Sequence, residues 1–393
     1  MEMQELSGYF DYNATTPLSD TVVQAMIASL SQFSNASSSS KLAQGNKALL
    51  KEARQSVARL LNCSAAQVAF TSGGSEANNW AIKSCLLPCS QAPGHIITTA
   101  IEHPSVLDTV RYLERAFGFT VTRLQPQASG AIALAEVEAA LQPDTQLISV
   151  MYANNETGVI QPVEGIVALA QARGIKVHVD GVQIVGKRQV DLPALGADFV
   201  SCSAHKFYGP KGVGCLYIRE PDQLEPLIHG GGQEMGMRAG TENLTAIAGM
   251  AQAAQDCTSM VAQWDAHYSD CKAQLMGRLE QLPFSIRFNG ETCVTQAVAN
   301  TLNFSIDGVR AEALAAFLDR KCGIQVSIGS ACSNNDASKQ HSHVLSAMGL
   351  DEARIQGALR VSFGRYTQLA DIETFVQQLE ACTSKLLAMS EMA

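Results

Sequence analysis

From about residue 65 to residue 218, short β-rich apolar runs alternate with amphipathic stretches. The runs are VAFT (68–71), HIITT (95–99), LISVMY (147–152), KVHVD (176–180), DFVSCS (198–203) and GVGCLYI (212–218). Between them, apolar positions recur at helical spacing over Ala77–Leu87, Ser105–Ala116 and Pro162–Arg173. Strands alternating with helices predict crossover units and a mostly parallel sheet covered on both faces. After a glycine-rich segment, HGGGQEMGMRAGTEN (229–243), a long helical pattern runs to about Leu282. A strand near Ala299–Ser305, a helix near Arg310–Lys321 and a strand–helix pair, Leu359–Phe363 and Asp371–Leu387, follow. The pattern predicts an α/β protein with a large domain over residues 16–258 and a smaller α+β domain from residues 1–15 and 259–393. No flexible linker separates the two, so they are expected to pack as one body.

Composition narrows the function classes. The chain has 393 residues and a net charge of −9, with no basic run, which disfavours nucleic acid and anionic membranes as partners. No apolar run reaches the ~18 residues that a membrane span needs, and the N-terminal MEMQELSGYF has no signal-peptide pattern. A cytoplasmic protein is expected. The eleven cysteines include no CxxC pair, which argues against a disulfide framework or zinc ribbon and for a reducing compartment. Most of them read as inert core thiols.

Ligands of open α/β sheets sit at the carboxyl ends of the strands. After VAFT comes Ser72-Gly73-Gly74-Ser75-Glu76 and then a helix, a start whose free amides suit an anion. It is neither a Walker A loop nor GxGxxG. After HIITT comes Glu102-His103-Pro104; after LISVMY, the polar turn Asn154-Asn155-Glu156. KVHV ends in Asp180, with Gln183 close behind, and DFVSC runs into Ser203-Ala204-His205-Lys206. Each feature alone has a plain reading as a turn, a helix start or a loop lysine. Together they place a lysine, a carboxylate, an imidazole and a phosphate-cradling helix start over one cleft. That set is what pyridoxal phosphate requires.

These residues resemble the class V aminotransferase group of pyridoxal-phosphate enzymes, and within it the NifS/IscS-type cysteine desulfurases. The likeness rests on Phe10–Pro17, Phe70–Asn78, Asn154–Val159, His178–Lys187, Ser203–Gly214, His229–Asn243 and Ser327–Ser333. It implies a fold-type I enzyme with a seven-stranded, mostly parallel sheet. By position, the resemblance makes Lys206 the Schiff-base lysine, Asp180 the partner of the pyridine nitrogen and Gln183 the donor to the phenolate oxygen. His103 would stack on the ring and move protons. Gly74, Ser75, Ser203 and His205 would hold the phosphate, with Thr241 reaching it from the neighbouring subunit of a homodimer. Asn155 would lie against the cofactor and, with Arg360, hold the substrate carboxylate, and an arginine fork suits a carboxylate well.

Cys332, in Ser327-Ile328-Gly329-Ser330-Ala331-Cys332-Ser333, matches the family's sulfur-accepting position on a mobile loop of about 327–340. The implied reaction takes sulfur from L-cysteine, leaving L-alanine and a persulfide on Cys332. From there sulfur passes to an acceptor protein, such as an iron–sulfur scaffold, for cluster or thio-cofactor synthesis. The alternative is a selenocysteine or cystine lyase, or another class V reaction, none of which needs Cys332. An idle paralogue has no need of Lys206 or Cys332.

Departures from the pattern are Asn35–Lys41 near the expected cleft entrance, Gly74-Ser75 for Ala-Thr, and Gly181 for alanine. The resemblance also implies a longer tail, which helps housekeeping relatives bind the scaffold, whereas this sequence stops soon after Leu387. His341 and His343 read as a solvated helix start, and no metal is expected.

Overall fold

The computed structural model describes residues 6–87, 93–328 and 341–391. Its main sheet has seven strands: β1 (Val68–Thr71), β2 (His95–Thr99), β3 (Thr120–Leu124), β4 (Thr145–Met151), β5 (Lys176–Asp180), β6 (Phe199–Ser203) and β7 (Gly214–Ile218), in the order β1-β7-β6-β5-β4-β2-β3. β3, β2, β4, β5 and β6 are parallel neighbours. β7 runs antiparallel to both β6 and β1, because the short 204–213 connection has no room for a crossover helix. A second, antiparallel sheet contains β8 (Ile286–Phe288), β9 (Thr301–Ile306), β10 (Ser327–Ile328) and β11 (Ala358–Ser362), in the order β10-β11-β9-β8.

The helices are α1 (Asp20–Ser29), α2 (Gln44–Leu60), α3 (Gly74–Leu86), α4 (Pro104–Phe117), α5 (Leu134–Ala140), α6 (Val163–Gln171), α7 (Leu192–Leu195), α8 (Leu244–Leu279), α9 (Ala311–Cys322), α10 (His343–Ala347), α11 (Glu352–Gln356) and α12 (Leu369–Glu391). Alternate strand residues serve opposite faces of the main sheet, as a two-residue period requires. Val68 and Phe70 face the layer that holds α2 and α8, whereas Ala69 packs with Ala77 and Trp80 of α3. Val200 and Cys202 likewise oppose Phe199.

The six β-rich runs are strands, and the expected helices appear within a few residues of their patterns. Ser75 lies inside α3, whose N-cap is Gly73. α1, α2, α5, β3 and β8 were not among the expected elements. β3 is an edge strand with one buried residue, Leu124, and β8 has three half-buried residues, so neither carries an apolar run.

α8 joins the two sheets, and the expected boundary at residue 258 falls within it. One continuous core runs from Val179 and Val200 of the main sheet through Tyr208, Trp264 and Tyr268 to Phe304, Val361 and Phe375. The N-terminal segment laces the halves together. Phe10 N donates to the Gln325 carbonyl at 2.8 Å and Ser362 N to that of Phe10 at 2.8 Å, after which Thr16 N donates to the His205 carbonyl at 2.9 Å. The Tyr12 ring lies so close to Gly364 that a Cβ there would come within 1.8 Å of it. This lacing brings Asn13 under Lys206.

Candidate active site

A cleft of about 930 Å³, solvent mouth included, opens at the carboxyl ends of β4, β5 and β6. Asp180 closes β5 in its floor. Its Oδ2 accepts from Asn78 Nδ2 at 2.8 Å and its Oδ1 from Val182 N at 3.0 Å, so two N–H donors fix the carboxylate. Lys206 ends a short 3₁₀ turn directly after β6. Its Nζ donates to the carbonyl oxygens of Asn13 at 2.5 Å and Ala14 at 2.8 Å, which hold the amine at the cleft wall.

One end of the cleft suits an anion. α3 begins after Gly73, whose φ of 152° is a conformation that L side chains rarely adopt. The first amides of a helix have no intrahelical acceptor and carry the positive end of its dipole. Gly74, Ser75, Ser203 and His205 line this end. Burial, reinforced by Lys206 and Lys211, pushes the His205 imidazole down to about 4, so at neutral pH it is uncharged. Its Nδ1 lies 3.2 Å from Thr15 Oγ1.

His103 caps α4. Its Nδ1 accepts from Ser105 N at 3.1 Å, so in the neutral ring the proton sits on Nε2. Burial lowers its pKa, with Lys206 and His343 acting in the same direction and Asp180 opposing them. Gln183 Nε2 donates to the Asn13 carbonyl at 3.2 Å. Across the cleft, Arg360 of β11 donates through Nη2 to Asp11 Oδ1 at 2.5 Å and through Nη1 to the Asn155 carbonyl at 2.9 Å. Arg360 Nε is buried without a partner. Asn155 and Ser327 complete this wall.

The lining fits pyridoxal phosphate by its donor set. A primary amine, a fixed carboxylate, two imidazoles and a helix start with hydroxyls line one space, and two of the lining residues, Asn78 and Arg360, each hold a buried polar atom without a partner.

Not every expected residue is in this cleft. Thr241 is exposed and does not line the cleft of its own chain. Cys332 lies outside the described residues. His343 begins α10, its Nε2 3.0 Å from the Glu102 carbonyl, and His341 Nε2 sits 3.6 Å from Glu352. Reading the strand ends also missed Asp11, Asn13, Asn78 and Lys187. For Asn78 a signal existed, since it lies one helical turn beyond Gly74 and so on the same face of α3.

A family model for class-V aminotransferases matches residues 8–375. A cysteine desulfurase IscS of Clostridium botulinum (strain Hall) is 38% identical over 383 residues, spanning 97% of this chain and 96% of that protein. Among solved structures, a NifS-like protein superposes with a TM-score of 0.89 at 36% identity, covering 96% of this chain and 99% of its own. SspA in complex with cysteine superposes at 0.80, also at 36% identity, over 92% of this chain and all of its own. The chain belongs to the class-V aminotransferase family, as a relative of the IscS cysteine desulfurases.

Proposed function

We propose that the protein is a pyridoxal-phosphate-dependent cysteine desulfurase that converts L-cysteine to L-alanine and leaves the sulfur as a persulfide on Cys332. One observation carries this reading. Lys206, Asp180, Gln183, His103, Asn155 and Arg360 line a single cleft, although they are spread from residue 103 to residue 360. The likeness to IscS proteins along nearly the whole sequence supports it.

When bound, pyridoxal phosphate supplies an aldehyde that captures amines and a ring that draws electrons from the substrate's α-carbon. The α3 start, Ser75, Ser203 and His205 bind its phosphate, and Asp180 keeps a proton on its ring nitrogen. Gln183 would donate to its phenolate oxygen. Arg360 and Asn155 orient the substrate carboxylate. Lys206 Nζ, held at the cleft wall, would take the α-proton. His103, in the cleft lining with a proton on Nε2, would lie against the cofactor and exchange that proton.

The Cys332 thiolate forms the new S–S bond to the substrate sulfur as the C–S bond breaks. The β-carbon keeps that electron pair and takes a proton, completing alanine. A thiolate is needed because a thiol is a poor nucleophile.

The same reading makes the working unit a homodimer, with Thr241 of each subunit serving the partner's phosphate site. It places the protein in the reducing cytoplasm, where Cys332 stays a thiol, and gives the persulfide to an acceptor protein such as an iron–sulfur scaffold. Among the described residues no helix is long and apolar enough to cross a membrane.

The test is to mix cofactor-loaded protein with L-cysteine and no reductant, then quantify alanine and digest the protein. One alanine per added sulfur atom on the Cys332 peptide is expected. Alanine without that sulfur, or no alanine, overturns the proposal.

A further inference from the structure

Behind the cleft sits a lysine that the reaction does not use. Lys187 is 4% exposed, on the turn that follows β5 and four residues beyond Gln183. Its Nζ donates to Gln183 Oε1 at 2.5 Å and to Asn13 Oδ1 at 2.7 Å. Neither acceptor is a carboxylate. Burying an amine against two amides is costly, and burial, with Lys206 and Arg360 nearby, pushes its pKa far down. Such a group needs a reason to be there.

The reason lies in which way the amides face. A side-chain amide has an oxygen end and an NH2 end of nearly the same shape, and only its hydrogen bonds choose between them. An ammonium has only N–H groups to offer these two neighbours, and a neutral amine offers two N–H groups and one lone pair. Gln183 and Asn13 turn their oxygens toward Lys187 and their NH2 groups away, which gives Nζ an acceptor for each of two N–H groups. The rest of the network agrees. Asn13 Oδ1 also accepts from Asn300 Nδ2 at 3.1 Å, while its Nδ2 donates to Thr301 Oγ1 at 2.8 Å and to the Asn155 carbonyl at 3.1 Å. Gln183 Nε2 donates to the Asn13 carbonyl, the same atom that receives Lys206 Nζ. A neutral amine keeps two N–H groups for the two acceptors seen here, and Asn300, Thr301 and Asn155 hold Asn13 in the same sense.

We infer that Lys187 is a positioning residue: it locks the side-chain amides of Gln183 and Asn13 so that Gln183 presents N–H, not oxygen, to the cleft. This rests on the reading that Gln183 faces the cofactor's phenolate oxygen. A flipped Gln183 would set oxygen against oxygen there.

The test compares wild type, Lys187→Met, Gln183→Ala and the double variant, each loaded with pyridoxal phosphate. Two quantities are read, the pH midpoint of the bound cofactor's visible absorption change and the dissociation constant of pyridoxal phosphate from the apoprotein. Lys187→Met is expected to move the midpoint in the same direction as Gln183→Ala and to weaken cofactor binding by roughly the tenfold that one hydrogen bond carries. The double variant should go no further than Gln183→Ala alone, because Lys187 acts through Gln183. A wild-type midpoint in Lys187→Met, even with a lowered melting temperature, overturns the inference. So do two shifts that add in full.

If Gln183→Ala itself leaves the midpoint unmoved, the role given to Gln183 falls, and the inference with it. If Gln183→Ala shifts the midpoint and Lys187→Met does not, only the inference falls. Should Lys187→Met fail to accumulate, Lys187→Gln keeps two N–H donors. It should hold the wild-type midpoint, and a shift as large as that of Gln183→Ala would overturn the inference.

Discussion

Arg360 and Asp11 form a buried ion pair at the cleft wall, Nη2 to Oδ1 at 2.5 Å, with the two side chains 7% and 12% exposed. The pair crosses nearly the whole chain and uses one edge of the guanidinium. Nε is left unpartnered, on a side chain that lines the cleft. An arginine held this way keeps its planar guanidinium in a fixed orientation at the cleft wall.

That arrangement makes the substrate contact depend on shape as well as charge. Arg360→Lys keeps the charge but loses the fork. It is expected to raise KM for L-cysteine by about 10- to 100-fold, the range that a charge-assisted contact supports, with kcat falling less. Steady-state kinetics decide it, and a KM within twofold of wild type would remove Arg360 from substrate binding.

His178 sits fully buried in β5, between Ser149 Oγ at 2.8 Å and Ser201 Oγ at 3.0 Å. Burial depresses its pKa to about 4, with Asp180 opposing. The folded chain thus binds this proton less readily than the unfolded chain, whose histidines titrate near 6.5. Stability is therefore retained above pH ~6.5 and lost as pH falls from there toward 4, at up to about 1.4 kcal/mol per unit. His178→Gln should lose ground to wild type at pH 7 and regain part of it at pH 4.5. Chemical denaturation at both values checks this, and a pH-independent difference would contradict it.

Glu102 has the opposite sign. It is wholly buried, with Oε1 accepting from Thr99 Oγ1 at 2.7 Å and Met151 N at 2.9 Å, and Oε2 without a partner. Burial lifts its carboxyl to about 8. Its contribution is fully present below the unfolded value of ~4.3 and is lost as pH rises toward 8. Glu102→Gln cannot ionise, so its stability relative to wild type should improve steadily between pH 5 and pH 8. Denaturation curves across that range would refute the assignment if the two proteins ran parallel.

Much of this site was legible because strand ends carry chemistry in an open α/β sheet. Asp180 ends, and Lys206, His103 and Ser75 follow, strands that are buried on both faces along nearly all their length and so read as largely apolar runs. β3 was not legible, since TVTRL sits at the sheet edge with most of its residues partly exposed. Nor were Asn13 and Lys187 legible as site residues. Asn13 meets Lys206 across 193 positions of sequence, and only the lacing of the N-terminal segment between the two sheets brings them together. Lys187 looks like any loop lysine until its burial is known.

The central claim is that Cys332 takes the sulfur. Wild type and Cys332→Ala, both loaded with pyridoxal phosphate, would be mixed with L-cysteine and a thiol reductant while alanine, sulfide and the cofactor's visible absorption are followed. The account predicts that both proteins keep the cofactor's absorption and that only wild type turns over to alanine and sulfide. A Cys332→Ala variant that makes both as fast as wild type would contradict it and favour a lyase that releases sulfur directly.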